Sequence, residues 1–231
     1  MIYREIDANR LRSVALFSGV SDAHFNRLLK AASLRHFAGR TLLFEEGERP
    51  AVLYTLIEGA VELFSEYHDR RCTIAVIRSI KPCALTAIVE GRNPLSARTL
   101  ERSRVLLVPA STVHELIETD LGFARAVGDE LASDCHQLIE DFKSQRLTTT
   151  VERLARWMLR CDQEAGGRGH FTIPHDKRTL AHYLGMAPEN LSRNLAALAS
   201  AGLVLRGRCV TLNDRPALAA RAGLNSVAVD R

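Results

Sequence analysis

The sequence predicts an α+β protein in which an antiparallel β domain, a long helix and a small, mostly helical domain follow one another along the chain. From about residue 35 to residue 110, apolar and polar residues alternate with a period of two, which is typical of strands with one buried face. From residue 121 to residue 147, apolar residues recur three, four or seven positions apart, which indicates a helix. Two short amphipathic segments then meet at Gly185.

The β domain is predicted at 1–120, with a first helix that starts near Ser21. Its strands recur at intervals of roughly ten residues, with Gly39, Gly47 and Gly59 at the corners, a pattern typical of a small antiparallel barrel or sandwich. We therefore predict a jelly-roll-like β-roll. Every apolar run up to residue 110 is interpreted as a strand, including the stretch ALTAIV at 84–89.

The long helix, predicted at 121–147, carries one narrow apolar stripe on an otherwise charged surface. The stripe consists of Val127, Leu131, Cys135, Leu138 and Phe142. A narrow stripe on a long helix is typical of a seam between two helices, so we predict a homodimer interface at these residues. The alternative is that the stripe packs against the β domain of its own chain.

The third region, predicted as a domain at 148–231, contains the signals of a helix-turn-helix with a wing. Thr149 and Glu152 match a capping box at a helix start. Asp176 can cap the first helix of the pair, Gly185 permits a left-handed turn, and Pro188 suits the first turn of the second helix. Beyond the pair, LVLRGRCVTL predicts two strands joined by a basic turn. No element is predicted for the C-terminal tail.

The second helix of the pair separates apolar from polar residues. Leucines 191, 195 and 198 share one side, whereas Glu189, Ser192 and Arg193 share the opposite side. Arg can donate two hydrogen bonds to guanine, Glu can accept from cytosine, and Ser can bond either way. We predict that these three residues contact DNA bases in the major groove. The alternative is an ordinary amphipathic helix with a solvated Glu189–Arg193 ion pair.

Basic residues around the helix pair are suited to the DNA backbone. Phosphates are bound by Arg and Lys side chains, which position a protein on the duplex without reading its sequence. The predicted phosphate contacts are Arg153, Lys177, Arg178, Arg206 and Arg208.

Composition restricts the class of protein without selecting one. With 231 residues, 46% of them hydrophobic, the chain can bury a sizeable core, and its net charge of +4 permits a polyanionic partner. The five cysteines show no C-x-x-C pair, so a zinc site has no support. The chain shows no signal peptide and no apolar run long enough to span a membrane, so we expect a reduced, cytoplasmic protein. The common catalytic motifs are absent as well, so we do not expect an enzyme.

In this order of elements, the sequence resembles the CRP/FNR family of bacterial transcription regulators along nearly the whole chain. The segment ENLSR at 189–193 is similar to the family's E-x-x-S-R recognition motif. The resemblance implies a β-roll sensor domain, a dimerisation helix, and a homodimer that binds an inverted TTGA-like repeat. It also implies a transcription regulator, more often an activator, with contacts to RNA polymerase. The stretch PHDKRTLAHYLGMAPENLSRNLAAL looks like the nitric-oxide-responsive NnrR/DNR branch, in which haem is the suspected sensor.

The sensor segment departs from the family's cyclic-nucleotide pattern. Cyclic-AMP binders of the family carry Gly-Glu-Leu followed by Arg-Ser-Ala, whereas here Thr86 and Ala87 stand at the Gly-Glu and Leu95 precedes Ser-Ala. We therefore do not expect cyclic AMP. An FNR-type iron–sulfur cluster is not expected either, because it needs cysteines near the N-terminus and the first is Cys72.

The signal therefore stays open at the level of sequence. The alternatives are a haem-linked gas sensor, another small ligand, thiol oxidation, or no ligand, and the sequence singles out no histidine as a haem ligand. A different function is a ligand-sensing module that acts through a protein partner without reading DNA.

Overall fold

The computed structural model describes residues 8–12, 14–68, 70–78, 80–173 and 176–224. Its helices are α1 (Ala8–Arg12), α2 (Ala15–Ser18), α3 (Asp22–Ala31), α4 (Leu85–Glu90), α5 (Ala110–Thr119), α6 (Leu121–Leu147), α7 (Thr150–Glu164), α8 (Lys177–Tyr183), α9 (Pro188–Ala199) and α10 (Arg215–Arg221). Its strands are β1 (Ser33–Phe37), β2 (Leu42–Phe44), β3 (Val52–Glu58), β4 (Val61–Tyr67), β5 (Arg70–Ile77), β6 (Lys81–Cys83), β7 (Ser96–Thr99), β8 (Ser103–Pro109), β9 (His170–Thr172), β10 (Leu203–Arg206) and β11 (Cys209–Leu212).

The chain forms two compact units, and the division falls inside α6, after Gln137. The domain bounds of 1–120, 121–147 and 148–231 remain a prediction, and their ends at 1–7 and 225–231 lie outside the described residues.

Two four-stranded antiparallel sheets make up the β domain. Their strand orders are β1-β8-β3-β6 and β2-β7-β4-β5. Side chains of both sheets meet in one apolar cluster, in which Leu56, Val61 and Val105 are fully buried. A second cluster joins Leu53 of β3 to residues of the flanking helices, among them Phe17. The predicted α+β fold with an antiparallel β-roll is confirmed.

Gly59 forms the predicted corner between β3 and β4. Its φ of +101° lies in the region that side-chain-bearing residues rarely adopt. A Cβ at this position would lie 2.3 Å from Ser103 Oγ. The corner therefore depends on glycine for its backbone angle and for the close approach of β8.

One predicted strand is a helix. The stretch ALTAIV was expected to continue the β pattern, but Leu85–Glu90 forms α4. The helix follows Ala84 and ends at Gly91, both of which have left-handed backbone angles, and it buries Leu85 and Ile88. A short apolar run satisfies a buried strand or a buried helical turn equally well, so the pattern could not separate them.

The long helix α6 spans the predicted range, and its N-terminus is fixed by a carboxylate. Asp120 Oδ1 accepts a hydrogen bond from Phe123 N at 2.9 Å. The other oxygen accepts from Ser21 N at 3.0 Å and lies 2.8 Å from His24 Nδ1. These bonds, that of Phe123 foremost and then that of His24, hold the pKa of Asp120 well below its ordinary value.

The second unit has a core of its own, built from α7 to α10 and the sheet β10-β11-β9. The predicted capping box opens α7, because Thr149 Oγ1 accepts from Glu152 N at 3.3 Å and Glu152 Oε2 accepts from Thr149 N at 2.7 Å. Further along α7, the chain's only tryptophan, Trp157, is 5% exposed and packs in this core.

The sequence analysis missed α10. Asp214 Oδ1 accepts a hydrogen bond from Ala217 N at 2.9 Å, and Pro216 stands in the first turn. An acidic cap followed by proline is a recognised helix start, so the signal was present in the sequence.

Candidate nucleic-acid interface

The helix pair α8 and α9 is built as its sequence signals predict. Asp176 caps α8, with its Oδ1 accepting from Thr179 N at 2.8 Å. Gly185 turns the chain with a φ of +63°, and Pro188 stands in the first turn of α9. The leucines 191, 195 and 198 are buried in the core of the second unit. One side of α9 is therefore fixed against the protein, and the other side faces solvent.

The polar trio occupies the solvent side of α9. Glu189, Ser192 and Arg193 are all exposed. Ser192 Oγ donates to Pro188 O at 3.3 Å, within its own helix. Arg193 Nη2 donates to Asn190 Oδ1 at 2.7 Å. The three groups are thus accessible to a duplex, and the Arg193 side chain is held in a defined direction.

The alternative of a Glu189–Arg193 ion pair is not realised, since no salt bridge joins these two described residues. Asn190 takes that place. The sequence analysis missed this residue, although its i,i+3 spacing from Arg193 could have pointed to it.

Four of the five predicted phosphate-binding residues are exposed. Lys177 and Arg178 stand in the first turn of α8. Arg206 and Arg208 flank Gly207 at the turn between β10 and β11, which is the predicted basic tip of the wing. Arg208 Nε also donates to Ile173 O at 2.8 Å, which ties this side chain to the segment after β9.

Arg153 is the exception among the predicted phosphate contacts. Its guanidinium donates to four carbonyl oxygens of its own chain, at 2.8–3.3 Å: Nε to Leu184, and Nη1 to Ser144, Gln145 and Thr148. These bonds use Nε and Nη1 of the guanidinium and give Arg153 a role inside the fold. Its contact with the DNA backbone stays a prediction.

The apolar stripe on α6 is divided between two environments. Val127 is 5% exposed and belongs to the core of the first unit. Leu131 is half-buried and packs against the same core. Cys135 is exposed, and so are Leu138 and Phe142, at 52% and 60%. The core of the first unit leaves Val127 little surface for a dimer seam, and the seam itself stays a prediction.

A small interior cavity of about 130 Å³ lies in the β domain, lined by Leu43, Phe44, Tyr54, Cys83 and Ile88 and also by polar residues, among them Glu48 and Arg49. Ligand sites usually measure about 300–1,000 Å³. Burial raises the pKa of Cys83 to about 12, so this thiol stays protonated and is a poor nucleophile.

A larger groove of about 960 Å³ lies on the opposite face of the sheet β2-β7-β4-β5. Arg71 and Arg98 lie over the ring of Phe64, at 4.4 and 5.3 Å from its centroid. Arg98 Nε donates to the buried Glu62 at 2.6 Å, and Arg71 pairs with Glu66. Arg40 and Arg92 also line the groove, together with Glu45, Glu46 and Glu66, so positive and negative side chains are mixed along it.

Within the described ranges, no group of three or more His, Cys, Asp or Glu residues is arranged to hold a metal ion. No helix in the same ranges combines the length and the apolar character needed to cross a membrane.

Two family models match the chain in tandem. The cyclic nucleotide-binding domain matches residues 34–120, and the Crp-like helix-turn-helix domain matches residues 152–221. The chain belongs to the CRP/FNR family. The Crp-like helix-turn-helix model covers most of α7 and all of α8 to α10, the region that carries the exposed Glu189, Ser192 and Arg193.

Relatives of this CRP/FNR protein are named as regulatory proteins. The fumarate and nitrate reduction regulatory protein of Escherichia coli (strain K12) is 26% identical over 196 residues, which covers 80% of this chain and 76% of the relative. The regulatory protein YeiL of Escherichia coli O157:H7 is 24% identical over 195 residues, with 83% and 85% covered. With the matching family models, these relatives support a helix-turn-helix, DNA-binding transcription regulator of the CRP/FNR type.

Solved structures agree with this fold. FixK2 from Bradyrhizobium japonicum is similar with a TM-score of 0.74 at 23% identity, over 82% of this chain and 96% of that one. DNR from Pseudomonas aeruginosa is similar with a TM-score of 0.52 at 22% identity, over 95% and 99%. At this identity the likeness supports the fold alone.

Proposed function

We propose that the protein binds an inverted TTGA-like repeat as a homodimer and regulates transcription in the cytoplasm, as an activator that contacts RNA polymerase. One observation carries the proposal: α9 buries its leucines and presents Glu189, Ser192 and Arg193 together to solvent. Each of these side chains has hydrogen-bonding groups that match base edges in the major groove. The E-x-x-S-R pattern supports the TTGA-like half-site.

Phosphate contacts would place α9 in the groove. Lys177 and Arg178 lie at the N-terminal turn of α8, and Arg206 and Arg208 at the wing turn. Their exposure supports contacts to the DNA backbone, which contribute affinity without sequence preference. Arg153 is left out of this set because its Nε and Nη1 already donate to carbonyls of the chain.

The dimer is proposed through the C-terminal half of α6. Cys135, Leu138 and Phe142 lie on one side of this half and are exposed. Exposed large apolar side chains on one helix side are a common sign of an interface. Leu131 stands at the edge of this surface and Val127 outside it. Two copies would place two recognition helices on half-sites about one helical turn apart.

The sensor input is proposed to be neither cyclic AMP nor an iron–sulfur cluster. A cyclic nucleotide does not fit the interior cavity of about 130 Å³, and Leu95 supplies no cation where the phosphate would lie. Haem does not fit the cavity either, which has no histidine in its lining. A haem-based signal of the NnrR/DNR type would need a site elsewhere in the protein.

The decisive experiment compares Arg193→Ala with Lys177→Ala in DNA-binding titrations at several salt concentrations. Arg193→Ala should lose about 1–3 kcal/mol on the TTGA-type repeat and relax the preference at one guanine. Lys177→Ala should weaken binding to specific and scrambled DNA alike and reduce the salt slope by about one.

Equal losses of Arg193→Ala on specific and scrambled DNA would remove the assigned base contact. The alternative is a module that acts through a protein partner without DNA readout. It would be favoured if the wild type binds no DNA and if changes of Glu189 and Arg193 leave the affinity for a protein partner unchanged.

A further inference from the structure

Two arginines on one side of α7 link the end of α6 to the turn of the helix-turn-helix. Arg153 and Arg160 are seven positions apart, which places them about two turns apart on the same side of an α-helix. Each contacts the last turns of α6 in one direction and the end of α8 in the other. All of these contacts lie within the second unit of the chain.

Arg153 bridges the C-terminal ends of two helices. Its Nη1 donates to carbonyls of the last turn of α6, those of Ser144 at 3.2 Å and Gln145 at 3.3 Å. Its Nε donates to the carbonyl of Leu184, the C-cap residue directly after α8, at 2.8 Å. Carbonyls at the C-terminal end of a helix carry partial negative charge, and Ser144 O also accepts from Thr148 N at 3.1 Å and from Thr148 Oγ1 at 2.6 Å. The planar guanidinium presents donors on three nitrogens in fixed directions, whereas an ammonium presents its three donors on a single nitrogen.

Arg160 makes a second link of the same kind. Its Nη2 donates to the hydroxyl of Tyr183, the last residue of α8, at 3.1 Å. Its Nη1 lies 3.9 Å from Asp141 Oδ1 on α6. The turn between α8 and α9 also lies against α6, since a Cβ built on Gly185 would be 3.7 Å from Gln145 Cδ.

We propose that Arg153 and Arg160 form an arginine clamp that sets the direction of α9 relative to the last turns of α6. The inference rests on the proposed function, because the same part of α6 carries the proposed dimer surface. In a homodimer the clamp would fix the separation and angle of the two recognition helices. The two arginines are therefore positioning residues that determine which spacing between half-sites the dimer accepts.

The first test measures hydrogen exchange of the full chain without DNA. The amides of Thr148, Leu184, Gly185 and Met186 are hydrogen-bonded in the structure, so their exchange reports opening of the two linked segments. Arg153→Gln should accelerate exchange at both segments by roughly tenfold or more, as expected for lost hydrogen bonds to a charged group. Amides of the wing strands at 203–212 should keep their rates.

Arg156→Gln is the matched control on the same helix. Arg156 Nε donates to Ala222 O at 2.8 Å, so this change also removes an arginine–carbonyl bond, but one directed to the end of α10. It should leave both linked segments unchanged. Acceleration at only one segment in Arg153→Gln, or the same general acceleration in both variants, would overturn the clamp.

The second test measures DNA binding to inverted repeats with the spacer that the wild type binds most tightly and with one extra base pair. Arg153→Gln should reduce the discrimination between the two spacers by at least about fivefold, the lower end of typical coupling between sites. Its affinity for a single half-site should stay close to that of the wild type, whereas Arg193→Ala should lose affinity there. Arg153→Lys, which keeps the charge but not the planar fork, should restore only part of the discrimination.

The outcomes separate the two proposals. If the wild type fails to bind any TTGA-type repeat, the proposed function fails, while the exchange measurement still decides the clamp. If Arg153→Gln keeps full spacer discrimination, the clamp is overturned and the base contacts stand. Should Arg153→Gln fail to fold, as judged by Trp157 fluorescence, Arg160→Gln provides the same two measurements through the second link.

Discussion

Val127 and Leu138 lie on nearly the same side of α6, about 20° apart at 100° per residue, yet their surroundings differ. Val127 is 5% exposed in the core of the first unit, whereas Leu138 is 52% exposed. Leu131 and Phe142 are also eleven residues apart and lie on one side, yet Leu131 is half-buried and Phe142 is 60% exposed. The N-terminal half of the helix is a component of a domain core, and the C-terminal half presents apolar side chains to solvent.

The difference shows that residues of one continuous apolar stripe can lie in two different surroundings, a domain core and the solvent-exposed surface. A helical period determines which side chains share a side of the helix, but not what covers that side. In α6, the helices and strands of the first unit cover the side only as far as Leu131. The remaining apolar surface is available for a second copy of the chain.

The largest effect is expected from Phe123→Ala, which tests the buried N-terminal half of α6 through the free energy of unfolding. Phe123 is fully buried and stacks on Phe17 with centroids 6.4 Å apart. Its truncation should lower the free energy of unfolding of the first unit by about 3–5 kcal/mol, measured by denaturant titration. Leu121→Ala, at an 85% exposed position two residues earlier, should change it by no more than about 0.5 kcal/mol. Similar losses in both variants would contradict the buried role of this half.

Phe142→Asp tests the C-terminal half and should have a smaller effect. Because the Phe142 ring is largely exposed, its loss should change the free energy of unfolding of a single chain very little. The dimer should weaken by about 2 kcal/mol, the level typical of a central interface residue, in sedimentation measurements over a range of concentrations. Ser133→Asp places the same charge on the opposite side of α6 and should leave the dimer intact. An unchanged dissociation constant for Phe142→Asp would place the dimer surface elsewhere.

Asp120→Asn is the mildest of the three changes and concerns the start of α6. The new amide nitrogen would face the donors Ser21 N and His24 Nδ1 in place of an acceptor. We expect a loss of about 1–2 kcal/mol at pH 7, as for a lost helix cap.

The pH dependence of this loss follows from the lowered pKa of Asp120. A carboxyl whose pKa is lowered by folding contributes its full stabilisation above its ordinary pKa, and that contribution declines as the pH falls toward the folded value. The difference between wild type and Asp120→Asn should therefore be constant near pH 7 and shrink below about pH 4. Unfolding titrations at pH 7 and pH 3 measure it, and a gap that does not change with pH would contradict the charged cap.

The sequence was sufficient where a residue's role depends on its neighbours along the chain. The capping box of Thr149, the cap of Asp176 and the turn at Gly185 are local features, and all three are present as predicted. The exposed side of α9 follows from helical geometry alone. The family resemblance rests on these same local patterns.

The sequence was insufficient where a role depends on contacts far along the chain. The charge of Arg153 suits a phosphate or a set of carbonyls equally well, and only the approach of the end of α8 decides between them. Val127 has the spacing of a seam residue, but the first unit buries it. The run ALTAIV lacks the length that separates a strand from a short helix. In each case the local sequence is compatible with more than one role or conformation, and a contact with a distant part of the chain decides which one is adopted.

The place of Trp157 has a practical consequence. Because the only indole of the chain is buried in the core that supports α9, intrinsic emission near 350 nm on denaturation would follow the melting of that core and not of the β-roll. Far-ultraviolet dichroism would follow the helices of both units, since the described helices hold more residues than the strands. Recording both signals in one experiment would reveal whether the two units unfold in one transition or in separate transitions.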